Sequence, residues 1–136
     1  MKESILLFNF EQTKVRKLVA QLMMLKFKVK IIKEEEWRYP LGYLCGNIEV
    51  LDEQENEKNL ILDSSMLVMA GVDGTRLNQV LSAIRKSGIG PVPYKAIVTE
   101  TNQNWLPCDL LEELKQEHEK MLSVENDRKM IHESTE

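Results

Sequence analysis

The chain has 136 residues, of which 43% are hydrophobic and 29% are charged, and this balance is typical of one globular domain rather than of a disordered segment. The longest apolar runs are far too short to span a bilayer, and the N-terminus lacks the pattern of a signal peptide, so no membrane role is expected. Two cysteines without metal-ligand or disulfide spacing indicate a reducing, cytoplasmic setting and predict neither a metal nor a cofactor.

The net charge of −4 is spread unevenly along the chain. Residues 1–33 carry a net charge of +6 and residues 34–65 carry −7, whereas residues 66–105 carry +2 and residues 106–136 carry −5. Such alternation favours segments that face one another within the chain or across a dimer, because a nucleic-acid surface would carry a net basic field. We therefore expect a homo-oligomer or a protein partner, and no nucleic acid.

The first half begins with an apolar strand and continues into an amphipathic helix. The run ILLFNF predicts the strand at Ile5–Phe10, and Glu11–Lys26 follows with apolar residues at helical spacing. Asn9 is predicted to cap this helix, with Gln12 in the capping-box position. Phe27–Ile32 alternates apolar and lysine side chains and predicts a half-buried strand. The apolar stripe of the helix consists of Val15, Leu18, Val19, Leu22 and Leu25.

The second half repeats this order of elements. Met66–Val72 predicts an apolar strand, Asp73 is placed to cap the helix that follows, and Gly88 suits a left-handed helix end. Tyr94–Thr99 then alternates as a closing strand. The apolar stripe of this second helix consists of Leu77, Val80, Leu81 and Ile84.

Residues 4–33 and 66–99 thus form an internal βαβ repeat within a single domain, residues 1–122. The first strand of each copy is apolar on both faces, as in a central strand, whereas the second strand alternates, as at a sheet edge. The order predicts an α+β fold with a ferredoxin-like βαβ–βαβ four-stranded sheet; the alternative is a small parallel α/β sheet. The acidic insert 34–65 is broken by proline and glycine and supplies a crossover helix poorly, which favours the ferredoxin-like form.

A third helix is predicted at Pro107–Leu122, with proline near its start and acidic residues in its first turns. A polar tail, residues 123–136, follows it. We expect the insert, this helix or a second subunit to cover the open face of the sheet. The apolar face of the helix consists of Leu110, Leu111, Leu114, Met121 and Leu122.

A polar segment, TETNQNW, joins the last strand to the third helix, and we call this segment, Thr99–Trp105, the hinge. Its hydroxyl and amide side chains can hydrogen-bond a small polar ligand, on which the indole would stack, while Lys95 or Arg76 would supply charge. The same residue types are the usual formers of turns, and we favour the interpretation that the hinge is a turn over the interpretation that it is a ligand site. The predicted ligand-binding residues are Lys95, Thr99, Thr101, Asn102, Asn104 and Trp105.

Other segments carry weaker patterns. The loop AGVDGTRL lacks a complete phosphate-binding motif, and the lysines within residues 26–33 protect an edge strand rather than bind RNA, because stacking aromatics are missing. The acidic and aromatic residues 34–43 form either a partner-binding patch or a lid on the sheet. No nucleophile, base and orienting group can be assembled, so an enzyme is disfavoured.

The stretch from Met66 to Trp105 also carries a family likeness. Its parts MLVMAG, KAIVT and T-x-T-N-x-x-W, and more loosely the earlier PLGYL, resemble a family of small bacterial proteins catalogued as a domain of unknown function, number 3783. The resemblance implies a bacterial source and an intracellular setting, and it implies no activity. We expect a regulatory or protein-interaction module or, alternatively, a small-molecule-binding domain that uses the hinge.

Overall fold

The structure, a computed structural model, describes residues 1–49 and 61–133, with side chains up to residue 122. The strands are β1 (Ser4–Phe8), β2 (Val29–Ile32), β3 (Met66–Ala70) and β4 (Lys95–Ile97). The helices are α1 (Gln12–Met24), α2 (Leu41–Leu44), α3 (Gly74–Ser87) and α4 (Pro107–Glu133). Two 3-10 turns lie at Glu34–Glu36 and Asn102–Asn104. The acidic stretch of the predicted insert, residues 51–59, lies outside the described residues.

The four strands form one mixed sheet in the order β2-β1-β3-β4. Strands β1 and β2 are parallel neighbours, as are β3 and β4, and β1 pairs with β3 antiparallel, with Leu6 opposite Val68. The α+β class and the central positions of β1 and β3 are therefore confirmed. The ferredoxin-like arrangement is not confirmed, because a split βαβ unit has a further strand between its two parallel strands, whereas each unit here pairs its own strands directly. The antiparallel centre also excludes the fully parallel alternative.

A tight connection after α1 brings β2 beside β1. Lys26 adopts a left-handed conformation, with φ of 63°, directly after the helix. The amide of Phe27 then donates to the carbonyl of Leu22 at 3.1 Å, and the amide of Ile5 in β1 donates to the carbonyl of Lys28 at 2.8 Å. The chain thus reverses without room for another strand between β1 and β2.

Helices α1 and α3 cover one face of the sheet. All side chains of β1 and β3 are buried, as expected for strands shielded above and below. The predicted helical stripes point into this layer, although Val19, Leu25, Leu77 and Leu81 are only partly buried. The buried residues of this layer are Ile5, Leu7, Val15, Leu18, Leu22, Phe27, Leu67, Met69, Val80, Ala83, Ile84 and Val92.

The opposite face is covered by α2, by the segment around Trp37 and by the first turns of α4. Of the three coverings that the sequence left open, the insert and the C-terminal helix are the ones observed, and a second subunit is not needed to bury this face. The buried residues of this layer are Leu6, Phe8, Ile32, Trp37, Leu41, Leu44, Cys45, Leu62, Met66, Val68, Ala70, Val98, Leu110 and Leu111.

The predicted cap of α1 is wrong, whereas both predicted ends of α3 are confirmed. Asn9 has a φ of 57° and uses its Nδ2 to donate to the carbonyl of Leu62 at 2.9 Å, so it fastens the returning chain instead of capping α1. An asparagine tolerates this left-handed backbone better than most residues do. In α3, the carboxylate of Asp73 accepts from the amide of Arg76 at 2.9 Å, and Gly88 ends the helix with a φ of 70°.

Helix α4 ends at Glu133 rather than at Leu122, so residues 123–133 of the predicted tail are helical. Its apolar face contacts the sheet only near the start of the helix, and Met121 and Leu122 are 66% and 48% exposed. Met121 and Leu122 thus belong to the predicted apolar face of the helix but are not buried against the sheet. None of the described helices combines the length and the apolar character that crossing a bilayer requires.

Candidate functional site

The hinge is a tightly bonded turn. The Oδ1 of Asn102 accepts from the amide of Thr99 at 2.7 Å, and the Oγ1 of Thr99 accepts from the amide of Asn102 at 3.1 Å. The Nδ2 of Asn102 donates to the carbonyl of Ile97 at 3.0 Å. Both ends of the Asn102 amide are thus engaged with the backbone, which is the use of Asn expected in a turn.

The hinge also packs against α2, which carries the PLGYL segment. The amide of Leu41 donates to the carbonyl of Trp105 at 2.9 Å, and the side chains of Asn47 and Gln103 share a hydrogen bond of 2.6 Å. A Cβ atom on Gly42 would lie 2.9 Å from the carbonyl oxygen of Gln103, closer than real Cβ atoms approach. The two sequence segments are therefore one structural unit.

A cavity of about 350 Å³ lies between β4, the hinge and α4. It brings together five of the six predicted ligand-binding residues, whereas the exposed Asn104 does not line it. Whether these residues bind a ligand stays a prediction. The residues that line the cavity are Lys95, Ala96, Thr99, Thr101, Asn102, Trp105, Leu110, Glu113, Leu114 and Glu117.

Two acidic side chains of the cavity, Glu113 and Glu117, were not among the ligand-binding residues predicted from the sequence. They lie four residues apart and therefore share one face of α4. The four-residue spacing of the two glutamates, next to the apolar Leu110 and Leu114, could have identified them from the sequence. Across the cavity the Nζ of Lys95 donates to the carbonyl of Val92, which leaves two ammonium protons for other acceptors.

Arg76, the alternative cation proposed for the hinge, is occupied elsewhere. Its guanidinium binds the carboxylate of Glu3 through two hydrogen bonds of 2.9 and 2.6 Å and lies 3.7 Å from the centre of the Phe27 ring. It also donates to the carbonyl of Leu25 at 3.0 Å. The hydrogen bond from Arg76 holds the pKa of Glu3 below its ordinary value of 4.5. Arg76 therefore joins the start of β1, the end of α1 and the start of α3.

The remaining candidate segments have structural uses. The carboxylate of Asp73 occupies the N-terminal end of α3, so the glycine loop before it does not offer that end to an anion. Trp37 is buried against the sheet, which supports the lid reading of residues 34–43, although Tyr43 is 41% exposed. Cys45 is buried, and its Sγ donates to the carbonyl of Gly42 at 3.4 Å. Within the described part of the chain, no three His, Cys, Asp or Glu side chains are grouped to hold a metal ion.

Comparison with protein-family models gave a match that includes β3, α3, β4 and the hinge. Residues 65–121 match a domain of unknown function (DUF3783). The resemblance seen in the sequence is thereby confirmed over these residues, which include the lining of the hinge cavity. Neither the comparison with curated proteins nor the comparison with solved structures gave a match.

Proposed function

We propose that this protein is a regulatory or protein-interaction module of the bacterial cytoplasm, and that it associates with a second copy of itself along the outer edge of β4. Both faces of the sheet are already covered by the chain's own helices, so the edges of the sheet are where another strand can add. The open edge of β4 is the observation that carries the proposal.

Hydrogen bonds to β3 show which backbone groups of β4 point outward. The carbonyl of Tyr94 accepts from the amide of Leu67 at 3.0 Å, and the amide of Val98 donates to the carbonyl of Met69 at 2.8 Å. Because these directions alternate along a strand, the backbone groups of Lys95 and Ile97 face away from β3. The carbonyl of Ile97 is taken by Asn102, and the other outward groups are available to a further strand.

The other edge of the sheet, at β2, is better protected. Lys28 lies just before this strand and Lys30 lies next to its exposed Ile31, and lysines on an edge oppose pairing with another strand. The edge of β4 carries a single lysine, Lys95, and beside the hinge cavity it presents Ile97, which is 40% exposed, against 55% for Ile31. The smaller number of edge lysines favours β4 as the associating edge.

Charges beside β4 support pairing of two identical copies. Lys95 lies on the strand, and Glu113 and Glu117 lie on the neighbouring helix, so both signs of charge border the same edge. A two-fold axis at the edge would bring the cation of one copy toward the acids of the other, since such an interface joins the same patch on both copies. The outcome would be one continuous sheet of both copies.

Sedimentation velocity over a range of concentrations tests this proposal. We expect the wild-type protein to form a dimer, Ile97→Lys to shift the equilibrium at least tenfold toward monomer, and the matched edge variant Ile31→Lys to leave it unchanged. Circular dichroism would verify that both variants are folded. A wild-type protein that stays monomeric at every concentration, or an equal effect of the two variants, would refute association through β4.

A second candidate function, the binding of a small zwitterion at the hinge cavity, is supported by the charges that line this cavity. Lys95 suits a carboxylate, and Glu113 and Glu117 suit an ammonium group. A thermal-shift screen of free amino acids tests this function. We expect Glu117→Gln to abolish the stabilisation seen in the wild type, while Asn104→Ala, outside the cavity, retains it. Equal responses of both variants would count against the hinge cavity.

A further inference from the structure

A larger cavity, of about 750 Å³, lies on the other side of Lys95, between the C-terminal half of α3, the loop that leads into β4, and α4. Its volume lies within the range of small-molecule sites in proteins. It is distinct from the hinge cavity and shares only Lys95 with it. The residues that line it are Leu81, Ile84, Arg85, Gly88, Gly90, Pro91, Val92, Pro93, Lys95 and His118.

The walls of this cavity are mainly apolar, and its polar side chains are all basic. Arg85, Lys95 and His118 line it together with aliphatic side chains and prolines, and no acidic side chain lines it. Within residues 1–49 and 61–122, neither Arg85 nor Lys95 forms an ion pair. An apolar cavity with unmatched cations is chemically complementary to an anion that carries an apolar body.

The loop that forms one wall is stiff and leaves the space open. Pro91 and Pro93 fix their own backbone angles, and Gly88 and Gly90 adopt left-handed conformations with φ of 70° and 89°. A Cβ atom on either glycine would meet no atom within 4 Å. The rings of His118 and Tyr94 meet at an angle of 71°, with their centres 5.8 Å apart, which positions the imidazole beside the loop.

We propose that this cavity binds a small organic carboxylate with an apolar chain or ring. The apolar body would lie against Leu81, Ile84 and Val92, and the carboxylate would lie toward Arg85, Lys95 and His118. The C-terminal end of α3 carries a partial negative charge, so these side chains, rather than the helix end, must hold the anion. A ligand with an ammonium group would meet no acidic side chain among the lining residues.

Three probe molecules test separately whether binding needs the apolar chain and whether it needs the carboxylate. Octanoate has the chain and the carboxylate, acetate has only the carboxylate, and octylamine has the chain with the opposite charge. In amide NMR titrations of the full chain, we expect octanoate to shift resonances of residues 81–90, 92 and 118, and acetate and octylamine to bind at least tenfold more weakly.

Arg85→Gln and Lys86→Gln form a matched pair of variants, because both residues are exposed cations of the last turn of α3 and only Arg85 lines the cavity. We expect Arg85→Gln to weaken octanoate binding about fivefold and Lys86→Gln to leave it unchanged. Unfolding curves at neutral pH would verify that each variant is folded.

Several results would overturn the proposal. These are the absence of shifts near the cavity, tighter binding of octylamine than of octanoate, and equal weakening by both variants. Occupation of the cavity by a second copy of the chain would also overturn it, and would appear as an octanoate affinity that falls with protein concentration. Loss of the β4-mediated dimer in Ile97→Lys, with octanoate binding intact, would separate this site from the proposed interaction function.

Discussion

Asn102 and Thr99 bind each other's backbone reciprocally, with each side-chain oxygen accepting from the other residue's amide, at 2.7 Å and 3.1 Å. This arrangement closes the chain at the end of β4 and directs it toward α4. The polar character of the hinge is therefore explained first by turn formation. Ligand binding, where it occurs, must rely on the side chains that the turn leaves free, such as Lys95 and Thr101.

We expect Asn102→Ala to lower the free energy of unfolding by about 1–2 kcal/mol, because two side-chain hydrogen bonds to backbone groups are lost. Asn104→Ala is the control, since Asn104 is exposed and should change stability by less than about 0.5 kcal/mol. Urea unfolding monitored by tryptophan fluorescence measures both. Similar values for the two variants would contradict the structural role of Asn102.

We expect Gly42→Ala to destabilise the protein by about 1–3 kcal/mol, because the added methyl group would press on the carbonyl of Gln103 and separate α2 from the hinge. Gly74→Ala provides the opposite case. A Cβ atom there meets nothing within 4 Å, so the change should stabilise the protein by about 0.4–1 kcal/mol through the unfolded chain. Thermal unfolding measures the stability of both variants. A Gly42→Ala variant as stable as the wild type would refute the close contact between Gly42 and the carbonyl of Gln103.

The pair of Glu3 and Arg76 predicts how stability depends on pH. The hydrogen bond from Arg76 lowers the pKa of Glu3 in the folded state, so the stabilisation is present above the ordinary value of 4.5 and is lost as the pH falls through the folded pKa. In Glu3→Gln, we therefore expect a shallower loss of stability below pH 4.5, with up to about one proton fewer taken up on unfolding.

Asp63→Asn is the comparison for this experiment. Lys115 lowers the pKa of Asp63 through a similar hydrogen bond, but the Asp63 side chain is 67% exposed, against 29% for Glu3. Solvent screening should make the effect of Asp63→Asn on the pH dependence the smaller one. Urea unfolding at several pH values between 3 and 7 measures both variants. A larger effect of Asp63→Asn would contradict this ranking.

Ser4 and Ser65 predict opposite responses to alanine. The Ser4 hydroxyl is 1% exposed and has no hydrogen-bond partner among the described residues, so Ser4→Ala should be neutral or stabilise by up to about 1 kcal/mol. The Ser65 hydroxyl donates to the carbonyl of Asn9 at 2.8 Å, and Ser65→Ala should cost about 0.5–1.5 kcal/mol. Chemical denaturation distinguishes them, and a clear loss in Ser4→Ala would reveal a partner for that hydroxyl.

Periodicity predicted the elements because burial imposes it. Met66–Ala70 is apolar at every position since helices lie on both of its faces, and Asp73 and Gly88 mark the ends of α3 through local backbone chemistry. Strand order depends on contacts between distant residues, such as Leu6 with Val68, and no local pattern encodes it. The role of Asn9 could not be predicted for the same reason, because Leu62, whose carbonyl accepts from its side chain, lies far along the chain.

The hinge cavity was predictable in part. The five predicted residues that line the cavity lie close together in the sequence, between residues 95 and 105, so their pattern is visible along the chain. Glu117 lies on α4, and the basic residues of the larger cavity lie on α3, β4 and α4, so they meet the rest of their cavities only in the folded protein. Asn104 has the same residue type as Asn102 but the opposite exposure to the cavity, and only the turn geometry separates them.

The antiparallel ladder of β1 and β3, centred on Leu6 and Val68, is the strand pairing that joins the two βαβ halves. A β3 supplied by another molecule would satisfy the same ladder, and residues 33–65 separate the two halves along the chain. Refolding at high concentration should therefore trap entwined, domain-swapped dimers, whose slow return to monomers on dilution distinguishes them from copies that associate edge to edge.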